Sequence, residues 1–257
     1  MAPHANDFDG NADGISMHHA SQGKTDAFSV NSPSVTYTDN NIESKYVYRT
    51  TDVSAVDGKF MAVPKETVYD FKTERHVGKT GLMLVGLGGN NGTTVTAGIL
   101  ANKQKLVWDT RQGQQAANYY GSLVMASTVK LGTETKTGKD VNIPLHDMLP
   151  MVHPNDLVIG GWDISGMILA EAMDRAQVLE PTLKSLVRKQ MAAIKPLPSV
   201  YYPDFIAANQ EDRADNVIPG EKASMDHVEH IRKDIRDFKA AHGLDKVIVL
   251  WTANTER

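Results

Sequence analysis

Apolar residues fall in short bursts along this chain, and the bursts alternate between two periods. Gly81-Leu-Met-Leu-Val85, inside a segment from Thr80 to about Leu87, has the length and continuity of a buried strand, and the stretch from about Thr93 to Lys103 then predicts a helix. Asp156-Leu-Val-Ile-Gly-Gly-Trp-Asp163 and Lys246-Val-Ile-Val-Leu-Trp251 predict two further buried strands. Between them Met167, Ile168, Ala170, Ala172 and Met173 recur at helical spacing and predict a helix from about Ser165 to Gln177. A second helix is expected over 180–194, stopped by Pro196-Leu-Pro198, and a third over 225–242, stopped by Gly243. The segment 199–206 resembles a strand, whereas Leu106-Val-Trp108 is too short an apolar run, too close to the polar stretch 111–118, to be read as one.

This alternation predicts an α/β fold, a Rossmann-like, doubly wound and mostly parallel sheet beginning near Thr80. Ahead of it, Val35, Tyr37, Tyr46, Val47, Tyr48, Val53 and Val63 suggest short extended segments broken by Asn-Ser-Pro and Asp-Gly turns, an arm over residues 28–79 that packs on something else. Residues 1–27 are rich in Gly, Asp, Asn, His and Ser and too poor in large apolar side chains to repay ordering, so a flexible tail is expected there. The last strand is followed at once by Thr252-Ala-Asn-Thr255 and the end at Arg257, without a helix to return across the sheet, which predicts a sheet incomplete at the C-terminus.

The chemistry concentrates in Gly-Leu-Gly-Gly-Asn-Asn-Gly, Gly86 to Gly92, placed between the first strand and its helix. Glycines let the backbone turn sharply and approach a pyrophosphate, and the first-turn amides of the following helix favour negative charge. The third glycine comes one residue later than in G-x-G-x-x-G, and Asn90 and Asn91 occupy the extra room with amide donors. An ordinary glycine-rich turn is the alternative. A dinucleotide site also needs an acid for the ribose hydroxyls at the end of the second strand. Asp109 stands at about the usual distance in sequence, but Asp163 ends a convincing strand and is preferred; its plainer reading is a helix N-cap.

Composition narrows the partners a little. The 257 residues carry 41% hydrophobic and 23% charged side chains, ordinary for a globular protein, and a net charge of -4 offers no electrostatic reason to expect nucleic acid. With no cysteine there are neither disulfides nor thiolate metal sites, no stretch approaches the ~20 apolar residues of a membrane span, and a cytoplasmic location is expected. His4, His18 and His19 of the tail are not read as a metal site.

Several segments in order resemble one family, the eukaryotic inositol-3-phosphate synthases, also called myo-inositol-1-phosphate synthases. They are Phe28-Ser-Val-Asn-Ser-Pro-Ser-Val-Thr-Tyr-Thr-Asp39, Tyr46-Val-Tyr-Arg-Thr-Thr51, the Gly86 to Gly92 loop, Gln115-Ala-Ala-Asn-Tyr-Tyr-Gly-Ser122, Ile159-Gly-Gly-Trp-Asp163, Lys195-Pro-Leu-Pro-Ser199, Tyr202-Pro-Asp-Phe-Ile-Ala-Ala-Asn-Gln210 and Leu250-Trp-Thr-Ala-Asn-Thr-Glu-Arg257.

The resemblance implies an NAD-dependent isomerase that converts glucose 6-phosphate to 1D-myo-inositol 3-phosphate, within inositol and phospholipid biosynthesis. Oxidation at C5, enolisation, aldol closure and return of the hydride form a redox-neutral cycle, in which the cofactor stays bound. Carried over, the NAD contacts are Gly86, Gly88, Gly89, Asn90, Asn91 and Gly92 at the pyrophosphate loop, Asp163 at the adenosine ribose, Ser199 and Val200, Gln210 and Arg213, and Thr252, Ala253, Asn254 and Thr255. Plainer readings stand beside three of them: Arg213 as a surface ion pair, Ser199 as a partner for backbone, Thr252 as a buried sheet residue. The resemblance further implies a homotetramer when full length, and places the catalytic lysines, the substrate lid and the later strands beyond Arg257. No catalytic residue is therefore assigned in this chain, which is read as an N-terminal half. An ordinary NAD dehydrogenase would share the glycine loop without explaining the segment 251–257, and a truncated nucleotide-binding or subunit-interaction module is the non-enzymatic alternative.

Overall fold

The computed structural model describes residues 28–205 and 210–253. The tail expected over 1–27 and the candidate contacts Asn254 and Thr255 lie outside them. The first described unit is an antiparallel sheet of β1 (Val35–Tyr37), β2 (Asn41–Val56) and β3 (Lys59–Glu74). Short segments were expected here, and instead β2 and β3 each run unbroken for 16 residues, roughly 50 Å. Asp57 and Gly58, with φ of +48° and +74°, turn the chain between them with positive φ at both central positions, the backbone of the hairpin turn whose twist matches the strands. Period-two alternation then sorts the side chains. Lys45 with Asp70, Arg49 with Glu66 and Lys72 with Glu43 ladder one face, while Tyr46 stacks on Tyr69 on the other. These ion pairs are exposed and each contributes about 0–1 kcal/mol, so they set register more than stability.

The central sheet is four-stranded and wholly parallel. Its members are β4 (Thr80–Val85), then, after α1 (Asn90–Lys103), an excursion through β5 (Val107–Thr110), β6 (Gly113–Ala116), α2 (Leu123–Ala126), β7 (Thr128–Thr133) and β8 (Asp140–Pro144), and next β9 (Val158–Asp163). Helices α3 (Leu169–Ala176) and α4 (Pro181–Ala192) lead to β10 (Leu197–Pro198), and α5 (Met225–Ala241) leads to β11 (Lys246–Trp251). Across the sheet the order is β10-β9-β4-β11. The chain thus steps outward from β4 to one side and returns to pair β11 on the other, which makes the carboxyl ends of β4 and β11 a topological switch point, where open α/β sheets gather ligands.

Both faces of the sheet are covered at β4 and β9, for reasons visible in the strands. Leu82, Leu84 and Ile159 point to one face and join Ala97, Ala101, Leu169, Met173, Val187 and Met191 from α1, α3 and α4 in the main core. On the other face Gly81 and Gly160 make room for the ring of Phe238 on α5, which lies 2.7 and 2.6 Å from where their Cβ atoms would stand. Trp162, buried on that face, ties β9 to α5 through its indole N–H, which donates to Asp234 Oδ2 at 2.8 Å. Beyond β11 nothing among the described residues covers the sheet, and Ile248, Val249, Leu250 and Trp251 are exposed.

Three local expectations are corrected. Leu106-Val-Trp108, doubted as a strand, does contribute Val107 and Trp108 to β5, but β5 pairs only with β6 in a separate ribbon and does not enter the parallel sheet. The helix expected from Ser165 begins only at Leu169, because Asp163 and Asp215 take the amide protons of Ser165 and Gly166 and Ile168 is extended. Residues 199–206 were read as a strand, yet pairing with β9 is confined to Leu197–Pro198, and Ser199 turns instead to bridge Val217. Pro198 and Pro203 lack the amide protons that a continued ladder would use.

Candidate functional site

A cavity of about 810 Å³ opens at the carboxyl ends of β4, β9 and β11, within the size range of sites for small ligands and cofactors. Its floor is the turn from β4 into α1. Gly86 takes φ of +89°, and its amide and that of Leu87 both donate to the carbonyl of Trp162 at 2.9 Å. The amide of Gly88 donates to Asp163 Oδ2 at 2.9 Å, and that of Gly89 returns to the carbonyl of Gly86 at 3.0 Å. With Gly89 as N-cap, the first helical bond is made by Thr93, which leaves the amides of Asn90, Asn91 and Gly92 without partners inside the helix. No acidic side chain belongs to that first turn, and the carboxylate of Asp163 is held by the amide of Gly88 just ahead of the cap.

Two glycines of the loop are demanded by space. A Cβ at Gly92 would sit 2.3 Å from the carbonyl oxygen of Leu87 and 2.7 Å from that of Gly86, so only glycine lets the helix begin against its own loop. A Cβ at Gly86 would meet Ala253 at 2.9 Å, where the end of β11 closes over the turn. Thr93, Thr94 and Thr96 return their hydroxyls to carbonyls of Gly89, Asn90 and Gly92, and this self-satisfaction is what allows Thr93 and Thr96 to be buried in a helix start.

Asp163 is the buried pivot of the site. Oδ2 accepts from Gly88, and Oδ1 accepts from the amide of Ser165 at 3.0 Å and from Arg213 Nη1 at 3.3 Å. A carboxylate offers about four lone-pair positions, and these bonds occupy three. The helix-cap reading is set aside, since α3 begins at Leu169 behind an Ile168 cap. Arg213, weighed as a surface ion pair, pairs instead with this buried carboxylate, and its Nε donates to Gln210 Oε1. Asp109 lies in the β5–β6 ribbon, away from the parallel sheet.

Gly86, Gly89, Asn90, Asn91, Asp163, Ser199, Val200, Gln210, Arg213, Thr252 and Ala253 all line the one cavity, while Gly88 and Gly92 shape its floor from beneath. Ser199 spends its backbone on Asn216 and Ile218, and Thr252 holds β11 to β4 with both its amide and its hydroxyl on the carbonyl of Val85. Asn91 Nδ2 reaches the carbonyl of Thr252 at 3.4 Å, joining the two sides of the switch point. Sequence reasoning missed Arg175, whose Nη2 donates to the carbonyl of Gly88 at 2.7 Å and which also lines the cavity. Burial, with Arg213 adding repulsion, holds its pKa below the ordinary arginine value, and Asp163 partly offsets both. A basic residue in the last turn of a helix reads as a partner of the helix dipole, so no local signal marked it. Tyr202, another unforeseen wall residue, is fixed by a hydroxyl that accepts from the amide of Ala223 and pairs with His227 Nδ1 at 2.9 Å. Among the described residues no group of three or more His, Asp or Glu is placed to hold a metal ion, and no helix is long and apolar enough to cross a membrane.

Comparison with known proteins agrees with this geometry. Residues 80–257 match the family model for the NAD-binding domain described as myo-inositol-1-phosphate synthase. The chain is 54% identical over 232 residues to inositol-3-phosphate synthase of Dictyostelium discoideum, covering 90% of this chain and 45% of that protein. It is 56% identical over 228 residues to inositol-3-phosphate synthase 1 of Mus musculus, covering 89% and 40%. The crystal structure of inositol-3-phosphate synthase from Caenorhabditis elegans superposes with a TM-score of 0.83 at 51% identity, over 89% of this chain and 44% of that one. The chain therefore spans less than half the length of these relatives. It belongs to the myo-inositol-1-phosphate synthase family and carries that family's NAD-binding domain.

Proposed function

We propose that the protein to which this chain belongs isomerises glucose 6-phosphate to 1D-myo-inositol 3-phosphate, feeding inositol and phospholipid synthesis, and that this chain supplies the half that holds NAD. The observation that carries the reading is the turn from Gly86 to Gly92 locked onto Asp163 at the switch point of a parallel sheet. When bound, NAD supplies a hydride acceptor that later gives the hydride back.

The chain's own residues fit the group. The amides of Asn90, Asn91 and Gly92, unpartnered within α1, suit pyrophosphate oxygens, and glycine at positions 86 and 92 lets the turn fold tightly enough on itself and on Ala253 to present them. Three of the lone-pair positions of Asp163 are taken within the protein, so it has capacity for one ribose hydroxyl and acts chiefly by shaping the loop. Thr252 and Ala253 close the far side, and Trp162 and Tyr202 wall the cleft against water. No residue described here is assigned a proton transfer. The homotetramer belongs to the same reading, supported by apolar surface left open on the hairpin at Tyr46, Phe60 and Phe71 and on β11.

The test is turnover by the intact protein with glucose 6-phosphate and catalytic NAD. Inositol phosphate formed without net accumulation of NADH is expected; NADH rising in step with substrate loss would assign an ordinary dehydrogenase instead.

A further inference from the structure

The charges around the buried carboxylate of Asp163 do not balance. Arg213 pairs with it directly, and Arg175 is close enough to feel both groups, so two guanidinium cations face one carboxylate at the wall of the cavity. The nearest acid in sequence, Asp174, is committed elsewhere, to Lys184 at 3.0 Å and Arg188 at 2.7 Å on α4. The first turn of α1 contributes further positive character and contains no acid. Arg175 is exposed and the Arg213 side chain is 32% exposed, so this excess positive charge faces the open cleft, where an anionic ligand would meet it.

Arg175 also has a specific mechanical relation to the loop. Gly88 is gripped at both ends by side chains of opposite charge: its amide donates to Asp163 Oδ2 at 2.9 Å, and its carbonyl accepts from Arg175 Nη2 at 2.7 Å. The carbonyl dipole would otherwise present its negative end beside amides that await an anion. Covered by a guanidinium, it no longer opposes one. The remaining N–H groups of a guanidinium that reaches Gly88 while lining the cavity are available to the ligand itself.

We propose that Arg175 is a cofactor-positioning residue: it fixes the Gly88 carbonyl and supplies, together with Arg213, the uncompensated positive charge that the pyrophosphate of the dinucleotide neutralises. This rests on the reading of the cleft as the NAD site. A purely structural arginine, serving the C-terminus of α3, would affect stability alike with every ligand or with none.

The experiment is calorimetric binding to the intact protein of NAD, ADP-ribose and adenosine, each at low and high salt, for wild type, Arg175→Met and Arg175→Lys, with a melt of each. Arg175→Met should bind NAD and ADP-ribose roughly 10–100-fold more weakly, with a flatter salt dependence, and leave adenosine binding unchanged. Arg175→Lys should recover part of the loss, since it keeps the charge without the planar pair of donors. Equal losses for adenosine and NAD, or NAD affinity unaltered in Arg175→Met, would overturn the proposal. Should Arg175→Met melt too low to assay, Arg175→Gln, which keeps a donor for Gly88 and drops the charge, decides: an unaltered salt slope overturns it. Wild-type protein that fails to bind NAD would overturn the functional reading itself, whereas binding shared equally by wild type and variants refutes only the role of Arg175.

Discussion

The carboxylate of Asp163 accepts the amide proton of Gly88 at 2.9 Å, across a separation of 75 residues in sequence. That bond joins the end of one sheet strand to the turn that follows its neighbour, so the phosphate loop and the acid beside it are one object. Removing the acid should therefore disturb the loop before it disturbs any ribose. Asp163→Ala leaves the amides of Gly88 and Ser165 without their partner, each unsatisfied buried group costing about 1–3 kcal/mol, and takes from Arg213 the carboxylate it pairs with. A lower melting temperature together with NAD affinity reduced by at least roughly tenfold is expected. Normal stability with weaker NAD would reduce Asp163 to a ligand contact alone.

Two glycines of α1 make a matched pair. Gly92→Ala drives a Cβ to 2.3 Å from the carbonyl of Leu87 and should destabilise by about 1–3 kcal/mol with loss of NAD binding. Gly98, one helix turn and a half further on, has nothing within 4 Å of an added Cβ, so Gly98→Ala should stabilise by about 0.5–1 kcal/mol and leave binding alone. Chemical denaturation of both variants distinguishes steric demand in the loop from a general effect of glycine in a helix.

Phe238 fills the space that Gly81 and Gly160 leave open on β4 and β9. Phe238→Ala should cost about 3–5 kcal/mol, measured by denaturant unfolding, because two facing glycines cannot collapse into the void. A loss below about 1 kcal/mol would mean that α5 is not a structural layer of the sheet.

The long excursion between α1 and β9 carries its own pH signature. The Tyr119 hydroxyl donates to Asn155 Oδ1 at 2.7 Å, and burial pushes its pKa up from 10.0 to about 12. The protonated form is the one the fold favours. Its contribution is therefore complete below pH 10 and is lost as pH rises from about 10 through about 12. Wild-type melting temperature should fall across that window, and Tyr119→Phe should flatten the fall while losing about 1 kcal/mol at neutral pH. Identical alkaline profiles for the two proteins would contradict this.

The sequence disclosed what depends on local pattern. The strands at 80–85, 158–163 and 246–251 are short, largely apolar runs, the first two with glycine where a neighbour presses close, and the helix at 225–241 repeats at its own period. Asp163 was legible because a strand core and two glycines precede it. Topology, not distance along the chain, makes it the acid of the second strand, since a ribboned excursion separates β4 from β9. What stayed hidden depends on partners remote in sequence. Arg175 answers a carbonyl 87 residues away, and the late start of α3 follows from Asp163 and Asp215 capturing amides that a helix would have used. The 16-residue strands of the hairpin were hidden for a different reason: Tyr46-Val-Tyr48 and the polar run Arg49-Thr-Thr-Asp52 break the alternation, so neither face of β2 carries a continuous apolar stripe that would mark its length.

The central claim is that the cleft built on Gly86 to Gly92 and Asp163 holds NAD, and calorimetric titration of NAD into the intact protein, paired with a melt in its presence and absence, tests it most directly. Saturable one-site binding in wild type, a raised melting temperature and loss of both in Gly92→Ala are the predicted result. A cooperatively folded wild-type protein that takes up no NAD, or binding undiminished in Gly92→Ala, would contradict it.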